Sequence, residues 1–99
     1  MRPIHLAKLD KTRPVLILTR ELVRPHLTRV TVAPITSTIR GLSTELPVGL
    51  RNGLHSESVV SVDNIVTIPV NALGQQIGFL FPDQEPALSR AIQNAFDLE

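Results

Sequence analysis

The chain has no cysteine, tryptophan or tyrosine, and its three phenylalanines, Phe79, Phe81 and Phe96, all lie beyond residue 78. Without cysteine there is no disulfide framework and no thiolate metal site, and His5, His26 and His55 are too scattered to match a zinc-ligand spacing. No metal and no other cofactor is therefore expected. So few aromatics argue against a base-stacking platform of the kind that reads single-stranded RNA on a sheet surface. No apolar run approaches the roughly 20 residues of a membrane span. The opening "MRPIHLAKLD" lacks the apolar centre of a signal peptide, so a cytoplasmic location is expected. The sequence also has no glycine-rich phosphate loop, no serine set between the glycines of a nucleophile elbow, and no His-Glu-x-x-His helix.

What is present is an uneven distribution of charge. Residues 1 to 51 hold nine Lys/Arg against Asp10, Glu21 and Glu45, a balance of +6; residues 52 to 99 hold Arg90 against six acids, a balance of −5. Eight of the ten cations are arginines, whose planar fork grips a phosphate at two points. A basic half of this kind suggests a polyanion partner. The arginines Arg13, Arg20, Arg29 and Arg40 are the candidates to meet it.

Ninety-nine residues predict one domain over 1–99 with a modest core, which favours pairing with a second copy. "RPIHLAKL" and "RPVLILTR", joined by "DKT", read as a hairpin whose second strand is buried on both faces. Pro25 breaks "ELVRPHL" into a turn of helix or a loop. "TRVTVAPI" alternates as a third strand, with Val30 and Val32 on one face and Arg29, Thr31 and Ala33 on the other. "TELPVG" reads as an edge strand, because Pro47 cannot donate to a ladder. "SVVSVDN" and "IVTIPV" are strand material, and "NALGQQ" reads as a helical turn closed by Gly74 before a strand "IGFLF". "PDQEPALSRAIQNAFDLE" sets Leu88, Ala91, Ile92, Ala95 and Phe96 at helical spacing, with Pro86 in the first turn. The pattern predicts a mainly β fold, a small antiparallel barrel with a C-terminal α-helix.

Arg13 and Thr36 each stand where an apolar strand emerges from the core, and Thr36 opens a polar cluster with Ser37, Thr38 and Arg40. If their strands are neighbours, a guanidinium and a hydroxyl meet around one phosphate. Fixed donors of that kind stabilise the charge that builds on a phosphodiester attacked by its own ribose 2′-hydroxyl. Two plainer readings also fit the spacing. Thr36 can cap the turn after Pro34, and Arg13 can be a surface cation at a strand start.

The ordered blocks "RPVLILTR", "VTVAPITSTIRGL", "TELPV", "GLHSESVVSVDNIVTIP" and "LGQQIGFL" resemble the MazF/PemK family of toxin endoribonucleases, over about residues 8 to 80. The resemblance implies an SH3-like barrel that forms a homodimer, cuts single-stranded RNA at short sequences without metal, and is neutralised by a cognate MazE-like antitoxin. It implies Arg13 and Thr36 as essential, and Asp63 of "VSVDN" at the place of an acid proposed as the base. Thr36 and Ser37 would then hold the scissile phosphate and Arg40 a neighbouring one. The chain departs from the family where "LDKT" replaces a long Gly-Ser-Glu loop, and where Asn64 and Val66 stand for the usual Gln and Arg. The same barrel carries the CcdB toxins, which bind DNA gyrase and cut nothing, so a non-enzymatic toxin or a purely RNA-binding barrel is the alternative.

Overall fold

A computed structural model describes residues 1–21 and 23–98. Its strands are β1 (Arg2–Lys8), β2 (Thr12–Ile17), β3 (Arg29–Thr36), β4 (Glu45–Val48), β5 (Ser58–Ser61), β6 (Val66–Pro69) and β7 (Leu73–Leu80), followed by the helix α1 (Glu85–Ala95). All pairings are antiparallel. The sheet runs β4-β5-β3-β2-β1-β7, with β6 paired to the first half of β3 beside β5. No ladder among the described residues joins the edges β4 and β7, so the sheet curls into a half-barrel. This is the mainly β fold with a terminal helix that the pattern predicts.

The curl places core on both sides of the central strands. Leu16 of β2 and Ala33 and Ile35 of β3 join Ile4, Val60 and Leu80 in the larger cluster, which α1 covers with Leu88 and Ala91. Val15 and Ile17, with Val30 and Val32, join Ala7 and Ile68 in a smaller one. The period-two alternation of a strand thus serves two cores at once, and β2 reads as apolar on both faces for that reason. Leu88 is buried, so truncating it to alanine costs about 2–5 kcal/mol.

Three details differ from the sequence reading. The turn after β6 is a 3-10 turn over Val70–Ala72, and Gly74 lies inside β7, where its carbonyl oxygen meets His5 Nδ1 at 3.0 Å. β5 ends at Ser61, and Val62–Asn64 forms a 3-10 turn that buries Val62. Phe96 lies outside the core and is 57% exposed, because α1 ends at Ala95 and the chain turns there through Asp97 at φ 55°.

Candidate functional site

β2 and β3 are neighbours, paired at Val15↔Pro34, Leu16↔Ala33 and Ile17↔Val32. Carried two residues further, this register sets Arg13 opposite Thr36, the last residue of β3. The ladder stops short of them at Pro34, beside Pro14, and neither proline has an N–H to continue it. The strands part, and a cleft of about 850 Å³ opens. Among the segments that line it are Lys11 and the start of β2 with Thr12 and Arg13; the end of β3 and the residues after it, with Thr36, Ser37, Thr38 and Arg40; the 53–58 loop with His55 and Ser56; and the turn with Asp63 and Asn64.

Arg13 is held by Asp10 three residues before it. Its Nε donates to Oδ1 at 2.9 Å and its Nη2 to Oδ2 at 3.0 Å. Two of the five guanidinium N–H donors are used in this way, and three remain for a ligand. The same bonds hold the Asp10 carboxyl well below the usual carboxylate range and raise the Arg13 guanidinium further. Asp10 therefore orients a permanent cation.

The turn-capping reading of Thr36 is what the structure shows. Its Oγ1 accepts from the Thr38 N–H at 3.1 Å, a local turn, which leaves the hydroxyl proton to donate outward. The loop beyond is clamped by Glu45 at the start of β4, whose Oε1 accepts from the Arg40 N–H at 3.1 Å and the Leu42 N–H at 3.0 Å. The Arg40 side chain is exposed and takes part in none of the three ion pairs among the described residues, Arg2–Glu85, Arg13–Asp10 and Arg51–Asp83. Across the cleft, Asp63 Oδ2 accepts from Thr44 Oγ1 at 2.6 Å, so one of its two oxygens stays open.

The wall that carries His55 is fixed from behind. Asn52, fully buried, donates to the Phe79 carbonyl and to Gln84 Oε1, both at 2.8 Å, and accepts from the Gly49 N–H at 3.0 Å. Gly53 follows at φ 90°, with its backbone against Ile77; a Cβ there would overlap the Ile77 carbonyl oxygen. That contact sets Leu54 and His55 against the cleft.

Of the residues read from the sequence, Arg13, Thr36, Ser37, Thr38, Arg40 and Asp63 come together here, and Arg20 and Arg29 do not. Arg29 opens β3 at the end opposite Thr36, about 23 Å away at 3.3 Å per residue. Its Nη2 donates to the Thr67 carbonyl at 3.3 Å. Arg20 lies past the far end of β2, beside a shallow groove with Val23 and Leu27. The sequence reading overlooked Lys11, Thr12 and Glu45. A signal for the first two was present, since antiparallel pairing of β2 with β3 necessarily brings the start of β2 to the end of β3.

Comparison with known proteins gives the family. A family model described as the PemK-like, MazF-like toxin of type II toxin-antitoxin systems matches residues 3–96. The chain belongs to the PemK/MazF toxin family. It is 71% identical over 99 residues to endoribonuclease MazF3 of Mycobacterium tuberculosis, covering 100% of this chain and 96% of that one. The solved structure of Mycobacterium tuberculosis toxin MazF-mt6 is 70% identical, covers 99% of each chain and superposes with a TM-score of 0.98. An endoribonuclease in complex with its cognate antitoxin, from a mycobacterial species, shares the PemK/MazF fold at a TM-score of 0.87 and 24% identity, over 98% of this chain and 93% of that one. The resemblance read from the ordered sequence blocks is thus established for nearly the whole chain.

Proposed function

We propose that this PemK/MazF toxin is an endoribonuclease whose cutting centre is the cleft at the open end of β2 and β3. The observation that carries the reading is the register that sets Arg13 opposite Thr36, with Ser37, Thr38, Arg40 and Asp63 around the same opening. RNA is single-stranded in the cleft, and its 2′-hydroxyl attacks the adjacent phosphorus. Asp63 takes the hydroxyl proton on its open oxygen. Arg13 and Thr36 stabilise the charge on the non-bridging oxygens with donors already in place. Arg13 acts as a charge stabiliser and not as an acid, since a guanidinium does not give up its proton. Ser37 and Thr38 extend the hydroxyl array, and Arg40 grips a neighbouring phosphate. The reaction calls for no metal.

The partner is an antitoxin, as in the complex of the mycobacterial structural neighbour. An acidic segment of it occupies the basic cleft and blocks RNA. The toxin acts as a homodimer, supported by its small core, and works in the cytoplasm where its RNA is. Among the described residues no helix is long and apolar enough to cross a membrane. Incubation of the purified chain with a long single-stranded RNA in EDTA tests the activity. Cleavage that yields 2′,3′-cyclic phosphate ends is expected, and intact RNA at high protein would leave the non-catalytic alternative. Sedimentation at micromolar concentration tests the dimer.

A further inference from the structure

The reaction needs two proton transfers, and the residues so far assigned supply one. When the 2′-oxygen bonds to phosphorus, the bond from phosphorus to the 5′-oxygen breaks, and that oxygen must receive a proton to leave as a hydroxyl. Asp63 serves the attacking side, while the guanidinium of Arg13 and the hydroxyl of Thr36 are too weakly acidic to protonate a leaving alkoxide. The other charged side chains lining the cleft are Lys11, Arg40 and Glu45. Glu45 is engaged by the loop N–H groups, and an ammonium or guanidinium cation is a far weaker acid than an acid catalyst near neutral pH should be.

His55 is the one histidine of the cleft. His5, on β1, faces Gly74 of β7, and His26 belongs to the 3-10 turn Arg24–His26 outside the cleft. Its side chain is exposed to the opening, yet its backbone is held by the Gly53 contact with Ile77 and by the Asn52 hub. Imidazole is the side chain whose charge changes near neutral pH, as a proton donor to an alkoxide requires. We propose that His55 is the general acid, giving its proton to the departing 5′-oxygen while Asp63 takes the proton of the 2′-hydroxyl. The cyclic phosphate and the 5′-hydroxyl then form with protons in balance. This assignment rests on the proposed RNA-cleaving function of the cleft.

The test uses a leaving group that needs no proton. Once the wild-type cut has been mapped on a long RNA, an oligonucleotide is made with sulfur in place of the bridging 5′-oxygen at that bond. His55→Ala and the near-isosteric His55→Gln should cut the ordinary oligonucleotide about 10²–10⁴-fold more slowly than the wild type. On the sulfur substrate they should come within a few-fold of it, whereas Thr36→Ala should stay slow on both. Full activity of either His55 variant on the oxygen substrate, or an equal deficit on oxygen and sulfur, would overturn the assignment while leaving the cleft as the cutting centre. Failure of the wild type to cleave RNA at all would instead defeat the proposed function, and this inference with it.

Discussion

The two ends of the β2–β3 pair carry similar residues in different surroundings. At one end, Arg13 is bound through two nitrogens to Asp10 and faces a cleft lined by hydroxyls. At the other, Arg29 leans on the Thr67 carbonyl and Arg20 borders a shallow apolar groove. In the sequence these arginines form one basic half. In the fold, strands of six and eight residues carry them to opposite ends of the sheet. Charge counted along a chain therefore gives the sign of a surface but not its location. What sets Arg13 apart from Arg20 and Arg29 is the carboxylate that orients it and the cleft it faces.

The sharpest way to break the comparison is to remove a side chain from each end. Arg13→Ala and Thr36→Ala should each slow RNA cleavage about 10²–10³-fold, the loss of about 2.7–4 kcal/mol from a fixed donor at a developing charge. Arg20→Ala and Arg29→Ala should remain within about threefold of wild type. Single-turnover rates in EDTA decide it, with circular dichroism to show that each variant is folded.

A smaller effect is expected from the clamp on the polar loop. Glu45→Gln weakens the acceptor for the Arg40 and Leu42 N–H groups. KM should rise several-fold with a lesser change in kcat if, as proposed, Arg40 of this loop grips a neighbouring phosphate and not the reacting one. Steady-state kinetics on one defined RNA checks this.

Salt dependence separates the ends again, more gently. Binding of a Thr36→Ala chain to single-stranded RNA should weaken with salt, and adding Arg40→Ala should flatten the log-log slope by about 0.7, one phosphate contact. Adding Arg29→Ala, or Arg90→Ala on the terminal helix, should leave the slope unchanged.

The smallest expected effect concerns stability against pH. Because Arg13 lowers the folded-state carboxyl of Asp10 below its unfolded value, the pair stabilises the fold above about pH 4 and loses this contribution as pH falls further. Asp10→Asn should therefore lower the melting temperature slightly at pH 7, and the difference should shrink steadily as pH falls below about 4.

Much of this arrangement was legible because apolar periodicity reports burial. The hairpin, the two-sided burial of β2 and the alternation in β3 follow from where Val, Ile and Leu recur, and the edge position of β4 from Pro47. Gly74 misled because a glycine straight after a short segment such as Asn71-Ala72-Leu73 can close a helical turn or sit inside a strand. Phe96 misled because a helical period does not show where the helix stops. Arg13 and Thr36 could be singled out at strand ends, but their mutual position depends on pairing, a non-local property. The Asp10 contact was in principle readable from a three-residue separation across a tight turn. The orienting of His55 by Gly53 against Ile77 was not, since it joins backbone segments more than twenty residues apart.

The most direct test of the cleft as the RNA site is to map where RNA lands. Backbone amide shifts of the Thr36→Ala chain, titrated with a short single-stranded RNA containing the mapped cut sequence, locate it residue by residue. The largest changes should fall on Arg13, Ser37, Arg40, His55 and Asp63, with Arg20, Arg29 and Thr67 unmoved. Changes centred on Arg20, Arg29 and Thr67, with the cleft silent, would contradict the assignment of the cutting centre to the open end of β2 and β3.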